Sequence, residues 1–102
     1  MAGSLAALLT ADRRLVILRS LTETGLQANE MVLRQALDHF GHHASADQVR
    51  GDIAWLAEQE LVRIEKLNAA AGELWLVPLT RAGQDVAEGR AHRPGVARRE
   101  AD

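Results

Sequence analysis

The sequence predicts a mainly helical α+β domain with one small β-hairpin. The range 45–59 begins with Ser45, a favoured N-cap, and Gln48 is placed to complete a capping box. Apolar residues then recur at helical spacing: Val49, Ile53, Leu56 and Ala57. Two β-rich runs follow, at 61–67 and 73–79. A capped helix that leads directly into a hairpin is typical of a winged helix-turn-helix domain.

Two further helices are predicted ahead of this segment. A leucine-rich stretch from Leu5 forms one long helix, or two helices broken near 10–12, and ends at Gly25. Asn29 then caps a second helix that Gly41 terminates. The short link that follows has the length expected of the turn in a helix-turn-helix.

A last short helix and a tail complete the predicted order. Thr80 caps the helix and Gly89 closes it. The predicted order is therefore helix, helix, helix, strand, strand, helix. We assign 1–90 to the winged helix-turn-helix domain, and 91–102, which is rich in arginine and has no apolar period, to a flexible tail.

Composition narrows the possible classes of protein. The chain has 102 residues, 47% hydrophobic and 25% charged, which suits one soluble domain. It contains no cysteine, which excludes disulfides and cysteine-ligated zinc. No signal peptide or membrane-length apolar run is visible, so we expect a cytoplasmic protein with no membrane partner. A net charge of −2 counts against strong nonspecific nucleic-acid binding.

Three segments carry a resemblance to a known family: ADRRLVILRSL (11–21), SADQVRGDIAWLAEQELVRIE (45–65) and WLVPLTRAGQDVAEGR (75–90). They resemble the small winged-helix proteins of Mu-like phages and prophages and, more distantly, ArsR- and PadR-like bacterial regulators. The most specific pieces are Asp52 to Gln59 and Leu79 to Gly83. The resemblance implies a winged-helix fold and a role as a DNA-binding transcriptional regulator. The sequence departs from the pattern at Glu60, where a glycine often follows the recognition helix.

The leading hypothesis is that the helix at 45–59 reads double-stranded DNA. The N-terminal part of a recognition helix meets base edges in the major groove. Gln48 suits adenine, Arg50 suits guanine, and Gly51 allows close approach. Ser45 and Ala46 would share this face. Cations at other positions would bind phosphates: Arg13, Arg14, Arg63 and Lys66.

The alternative is a winged-helix module that binds protein and not DNA. Between Ser45 and Glu60 a single arginine stands against four carboxylates, and an acidic helix is a poor ligand for DNA. These carboxylates could also form an ordinary solvated helix face. Either function is compatible with a homodimer, for which Leu5, Leu8 and Leu9 are candidate contacts.

Nothing in the sequence predicts an enzyme, a metal site or a cofactor. The chain has no Gly-rich phosphate loop, no G-x-S-x-G and no H-E-x-x-H. His39 and His43 have ligand spacing, but we expect Gly41 to break the helix between them. Trp55 and Trp75 are expected to pack near each other or over the seam between helix and hairpin.

Overall fold

The computed structural model describes residues 4–98, and this part of the chain forms four helices and a three-stranded antiparallel sheet. The elements are α1 (Leu5–Glu23), β1 (Gln27–Asn29), α2 (Glu30–His39), α3 (Ala46–Glu58), β2 (Glu65–Ala69), β3 (Gly72–Pro78) and α4 (Arg81–Ala87). The predicted mixture of helices and hairpin is confirmed. Within 4–98 no helix combines the length and apolar character needed to cross a membrane.

Strand β1 was missing from the predicted order. It pairs with β3 through Ala28 and Val77, so the sheet has the order β1-β3-β2. With three residues, of which only Ala28 is buried, the strand is too short to show alternation. The first hairpin strand also begins later than predicted, at Glu65, since Val62 forms only an isolated bridge with Leu79 ahead of it.

The predicted N-caps are confirmed. Ser45 Oγ accepts a hydrogen bond from the Gln48 backbone N–H at 3.1 Å, and Gln48 Oε1 accepts one from the Ser45 N–H at 3.0 Å. Asn29 and Thr80 cap α2 and α4 through their side chains alone, which accept hydrogen bonds from the backbone N–H groups of Val32 and Gly83. Helix α1 runs without a break, so its first turns continue directly into its buried part.

Glu60 stands where the family pattern often has glycine, and the end of α3 shows the backbone conformation that this position adopts. The Leu61 N–H bonds to the Leu56 carbonyl and the Glu60 N–H to the Ala57 carbonyl, each at 3.0 Å. This is the Schellman pattern of helix termination, and it puts Glu60 in the left-handed region with a φ of +62°. The glutamate therefore occupies a backbone position that favours glycine, and α3 ends where the motif predicts.

The core lies where α1, α2, α3 and β3 meet. Its largest fully buried side chains are Ile17, Leu18, Leu21, Leu33, Leu37, Ile53, Leu56, Leu61, Val49 and Val77. Helix α4 packs on this core through Gly83. A Cβ there would lie 2.0 Å from the Leu61 carbonyl oxygen, so the glycine of the Leu79–Gly83 motif permits a close approach of two backbones.

The C-terminal segment differs from the flexible tail predicted from residue 91. Val96 is 2% exposed, and the Ala97 N–H bonds to the Ala11 carbonyl at 3.0 Å. Arg93 donates to the Gln59 carbonyl at 2.7 Å. The buried Val96 side chain and hydrogen bonds to α1 and to the end of α3 hold the segment, and neither kind of contact produces a periodic pattern in the sequence. Residues 99–102 of the predicted tail lie outside the described residues.

Candidate functional site

The exposed side of α3 is neutral to acidic. Asp47, Gln48, Gly51 and Glu58 are exposed, whereas Val49, Ile53 and Leu56 face the core. The exposed set contains two carboxylates and no cation, because the one arginine of the helix points elsewhere. The surface that a recognition helix would present to a partner therefore carries negative charge.

Arg50 is bound in a cluster with Glu30 and Trp75, here called the Glu30 cluster. Its Nε and Nη2 donate to the two carboxylate oxygens of Glu30 at 2.6 and 2.7 Å. Nη2 also donates to the Glu73 carbonyl at 2.9 Å. The guanidinium lies 4.6 Å from the centre of the Trp75 ring. Two-pronged pairing of this kind fixes the orientation of the arginine.

The same contacts shift the pKa values of Glu30 and Arg50. The hydrogen bond from Arg50 holds the pKa of Glu30 below its ordinary value, against the opposing effect of burial. The Trp75 backbone N–H, 2.7 Å from Glu30 Oε2, acts in the same direction. The Glu30 carboxylate in turn raises the pKa of Arg50. Both groups are therefore ionised at neutral pH.

A second group, the Asp52 cluster, joins α3 to α1 and comprises Asp52, Arg13, Arg14, Trp55 and Gly95. Asp52 is 3% exposed, and Arg13 Nε donates to one of its oxygens. Arg14 Nε donates to the other at 3.2 Å. Arg14 also donates to the Gly95 carbonyl at 3.1 Å, and its guanidinium lies 3.9 Å from the Trp55 ring centre. The cluster connects α1, α3 and the C-terminal segment.

The structure divides the predicted DNA contacts into two groups. Arg13, Arg14 and Arg50 bind carboxylates of the protein itself. The others are exposed: Ser45, Ala46, Gln48, Gly51, Arg63 and Lys66. Of these, Ser45 and Gln48 form the capping box, and the Lys66 ammonium lies 5.4 Å from the Trp75 ring centre. The predicted residues therefore do not form one continuous basic surface.

An open groove lies between α2 and the start of α3, with a volume of about 670 Å³. Met31, 63% exposed, lines it together with Gln35, Gln48 and the His43–Asp38 pair, whose atoms are 2.6 Å apart. The lining also contains the exposed Arg34, whose Nε donates to the Ala44 carbonyl at 3.1 Å, so it combines apolar, amide, acidic and basic groups.

Two features of these clusters differ from what the sequence predicts: the burial of Asp52 and the separation of the two tryptophans. Asp52 was grouped with the solvated carboxylates of α3, yet it is buried. Its position between Val49 and Ile53 on the core side of the helix was the available signal. The tryptophans do not pack together: Trp55 contacts Arg14, whereas Trp75 contacts Arg50. Trp75 therefore lies between α3 and the β2–β3 hairpin, which is one of the two positions expected from the sequence.

The histidines near the turn after α2 form hydrogen bonds with single carboxylates. His42 Nε2 lies 2.7 Å from Asp12 Oδ2 on α1, and His43 bonds to Asp38. Across residues 4–98 no group of three or more histidine, cysteine or acidic side chains could hold a metal ion. The His42 pair ties the turn to α1.

These features define a small α+β domain in which two carboxylate–arginine–tryptophan clusters hold one capped helix. The chain is 55% identical over 91 residues to the uncharacterized protein gp26 of Escherichia phage Mu, covering 89% of this chain and 91% of that one. It is 43% identical over 84 residues to an uncharacterized protein of Haemophilus influenzae, covering 78% and 82% of the two chains. The chain belongs to the family of phage Mu gp26. No protein-family model and no solved structure matches it, so the likeness to ArsR and PadR regulators stays a prediction.

Proposed function

We propose that the chain is a winged-helix domain that binds a basic surface of another protein through the exposed side of α3. The order α1-β1-α2-α3-β2-β3 and a sheet that joins β1 to the hairpin support the winged-helix interpretation. The capped α3, which follows α2 after a short turn, stands at the place of the recognition helix. The function of this helix then depends on what its exposed side can bind.

The observation that carries the proposal is the pairing of Arg50 with Glu30. Binding to DNA depends largely on cations that approach phosphates, and guanine is read best by a free arginine. Arg50 already donates to both oxygens of a carboxylate that is 11% exposed. Removing it from Glu30 would leave that carboxylate without its charged partner, which is costly.

The charge of the α3 surface supports the same conclusion. Asp47 and Glu58 are exposed on it, and Arg13 and Arg14 are engaged by Asp52 on another side of the helix. Charge complementarity across protein interfaces favours a partner with lysine or arginine at the contact. The neighbouring groove beside Met31 offers space for an apolar side chain of the same partner.

A charge-reversal experiment tests this proposal. The double variant Asp47→Lys/Glu58→Lys reverses the sign of the α3 surface, and Glu23→Lys, at an exposed site on α1, is the matched control. In affinity capture from cells that carry a related prophage, we expect the wild type and the control to retain the same basic protein. The double variant should lose it. Capture that is equal for all three chains would contradict the role of the α3 surface.

DNA reading by α3 is the second candidate, and one observation favours it. Ser45, Ala46, Gln48 and Gly51 are exposed at the start of α3, and beyond the neighbouring backbone of the helix no atom would lie within 4 Å of a Cβ at Gly51. This end of the helix could therefore approach base edges closely, with Arg63 and Lys66 near the hairpin for phosphates. Arg50 would join the contact only after leaving Glu30.

Selection from a pool of random duplexes at two salt concentrations separates the two candidates. For a protein-binding domain we expect no enriched motif. An enriched motif, with affinity that falls steeply as salt rises, would establish DNA reading and overturn the first proposal. The variant Glu30→Gln sharpens the test, because it releases Arg50. A gain in DNA affinity in this variant alone would show that Glu30 keeps the arginine from DNA.

A further inference from the structure

The outer half of the β2–β3 hairpin is held by side chains and not by a third strand. Strand β1 pairs with β3 as far as Asn29 and Leu76 and then ends. Within residues 4–98 the range 66–75, here called the hairpin arm, has no further strand beside it on either side. All the residues of β2 are exposed. A two-stranded ribbon is marginally stable by itself, so the position of the hairpin arm depends on its remaining contacts.

The Glu30 side chain takes the place of the missing end of β1. The Leu79 N–H bonds to the Leu26 carbonyl at 2.8 Å. Alternate residues of a strand direct their backbone groups to the same side, so the Trp75 N–H also points to the β1 side of β3. The register of β1 and β3 would pair Trp75 with residue 30. Residue 30 begins α2 instead, and its carboxylate accepts the Trp75 N–H at 2.7 Å. The side chain thus supplies the acceptor that a continued strand would have supplied.

Arg50 binds the next backbone group on the same side of the hairpin arm. Its Nη2 donates to the Glu73 carbonyl at 2.9 Å, while Nε and Nη2 also donate to Glu30. Its guanidinium lies over the ring of Trp75, which packs against the core. The Glu30–Arg50 pair and Trp75 therefore attach the hairpin arm to α2 and α3.

We propose that the Glu30–Arg50 pair is a latch that fixes the hairpin arm against α3, and that the arm moves about the end of the β1–β3 ladder when the pair is broken. The pair joins charged side chains of two helices to two backbone groups of the arm, and such contacts require both charges. The base of the hairpin cannot follow this movement, because Val77 is buried and is paired with Ala28 of β1.

The latch also determines which charges lie beside α3. The pKa of Arg50 is raised first by its hydrogen bond to Glu30 and further by the nearby carboxylates of Glu73 and Asp47. Glu73 belongs to the hairpin arm and Asp47 to the exposed side of α3, so the closed latch keeps both carboxylates near one arginine. Opening it removes an acidic side chain from the surface proposed to bind a basic partner. This consequence, unlike the movement itself, rests on the proposed function.

Distances between two spin labels, measured by double electron–electron resonance, test the latch. Because the chain contains no cysteine, labels can be attached to two introduced cysteines. The pair Glu58→Cys/Asn68→Cys measures from α3 to the hairpin arm, and Glu58→Cys/Arg63→Cys, which measures to the base of the hairpin, is the matched control; all three sites are exposed. Both distance distributions should be narrow while the latch is intact. In Glu30→Gln the distribution to Asn68 should broaden at least about twofold, whereas the distribution to Arg63 should stay narrow.

Further variants show whether the pair acts as a unit. Arg50→Gln should broaden the Asn68 distribution as Glu30→Gln does, and combining the two changes should add nothing, because either change breaks the same pair. Glu73→Gln leaves the pair intact and should keep the distribution narrow. Circular dichroism of each variant shows whether the fold is retained.

Three results would overturn the proposal: a wild-type Asn68 distribution that is already broad, a folded Glu30→Gln chain with the wild-type distribution, or equal broadening at Asn68 and Arg63. The distances are measured on the chain alone. They therefore do not depend on whether α3 binds a basic protein, and the latch and the proposed function can fail separately.

Discussion

Two clusters, each containing a carboxylate, arginine and tryptophan, hold helix α3. In one cluster α3 supplies the carboxylate, and in the other it supplies the arginine. In the Asp52 cluster α3 supplies the carboxylate and Trp55, and α1 supplies the two arginines. In the Glu30 cluster α3 supplies Arg50, α2 supplies the carboxylate and β3 supplies Trp75. The helix is thus fixed to three different elements through ionic hydrogen bonds as well as through its apolar side.

The two clusters differ in burial and in balance of charge. The Asp52 side chain is 4% exposed and faces two arginines, whose side chains are 16% and 18% exposed. In the Glu30 pair the carboxylate is 11% and the arginine 33% exposed. A buried charge depends on its partners more strongly than one near water. The Asp52 cluster should therefore determine stability, and the Glu30 cluster should also determine which charge α3 offers to a partner.

The largest expected effect comes from breaking the Asp52 cluster. Asp52→Asn removes the charge that holds Arg13 and Arg14 together and leaves two partly buried cations in proximity. We expect the free energy of unfolding to fall by about 3–5 kcal/mol, measured by urea denaturation. Asp47→Asn, at an exposed position of the same helix, should cost less than about 1 kcal/mol. Equal losses in the two variants would contradict the difference in burial.

Breaking the Glu30 cluster should cost less. Glu30→Gln keeps the shape of the side chain but removes the charge that Arg50 and the Trp75 N–H bind. We expect a loss of about 2 kcal/mol in the free energy of unfolding, typical of hydrogen bonds to a charged group. The control is Glu73→Gln, since Glu73 also bonds to Trp75, through the ring N–H, at an exposed site. Its loss should stay within about 0.5 kcal/mol.

A substitution at Gly95 tests the contact between the Asp52 cluster and the C-terminal segment. The Glu30 cluster has no comparable contact among its described hydrogen bonds. The φ of Gly95 is +95°, and a Cβ would lie 2.6 Å from the Trp55 ring. Gly95→Ala should therefore destabilise the protein by about 1–3 kcal/mol through backbone strain and overpacking. Gly51→Ala is the matched control, since Gly51 lies within α3 with open space around it. It should be neutral or should stabilise by up to about 1 kcal/mol. A neutral Gly95→Ala would show that the segment does not pack on Trp55 in solution.

Local features of the fold were predictable from the sequence, whereas the partners of its charged groups were not. The N-caps and helix ends depend on residues three or four positions apart, so the capping box of Ser45 and Gln48 reveals α3 directly. The Arg50–Glu30 pair spans 20 positions and the Arg13–Asp52 pair spans 39. Distances of this kind follow from the packing of whole elements, which no local pattern contains.

For the same reason, the sequence did not reveal which arginines of the candidate site bind carboxylates of the protein itself. Arg13, Arg14 and Arg50 have the residue types that bind DNA, and their sequence positions fit a recognition surface. Arginine is also the residue best suited to bury a carboxylate by two-pronged pairing. Only the tertiary structure separates these two uses. Asp52 is the exception, because its place in the apolar stripe of α3 already indicated burial.

The smallest expected effect is a pH dependence of the Glu30 cluster. The pKa of Glu30 lies below its ordinary value of 4.5 because Arg50 binds the ionised carboxylate. A pKa that is lower in the folded state gives stability that is complete above the ordinary value and is lost as pH falls through the folded value. The stability difference between wild type and Glu30→Gln should therefore be constant near neutral pH and should shrink below about pH 4.5. Urea denaturation of both chains from about pH 7 to about pH 3 measures it, because the other carboxylates titrate in both. A difference that stays constant over this range would mean that the ionised Glu30 carboxylate does not stabilise the fold, and Arg50 would then be available to a partner at little cost.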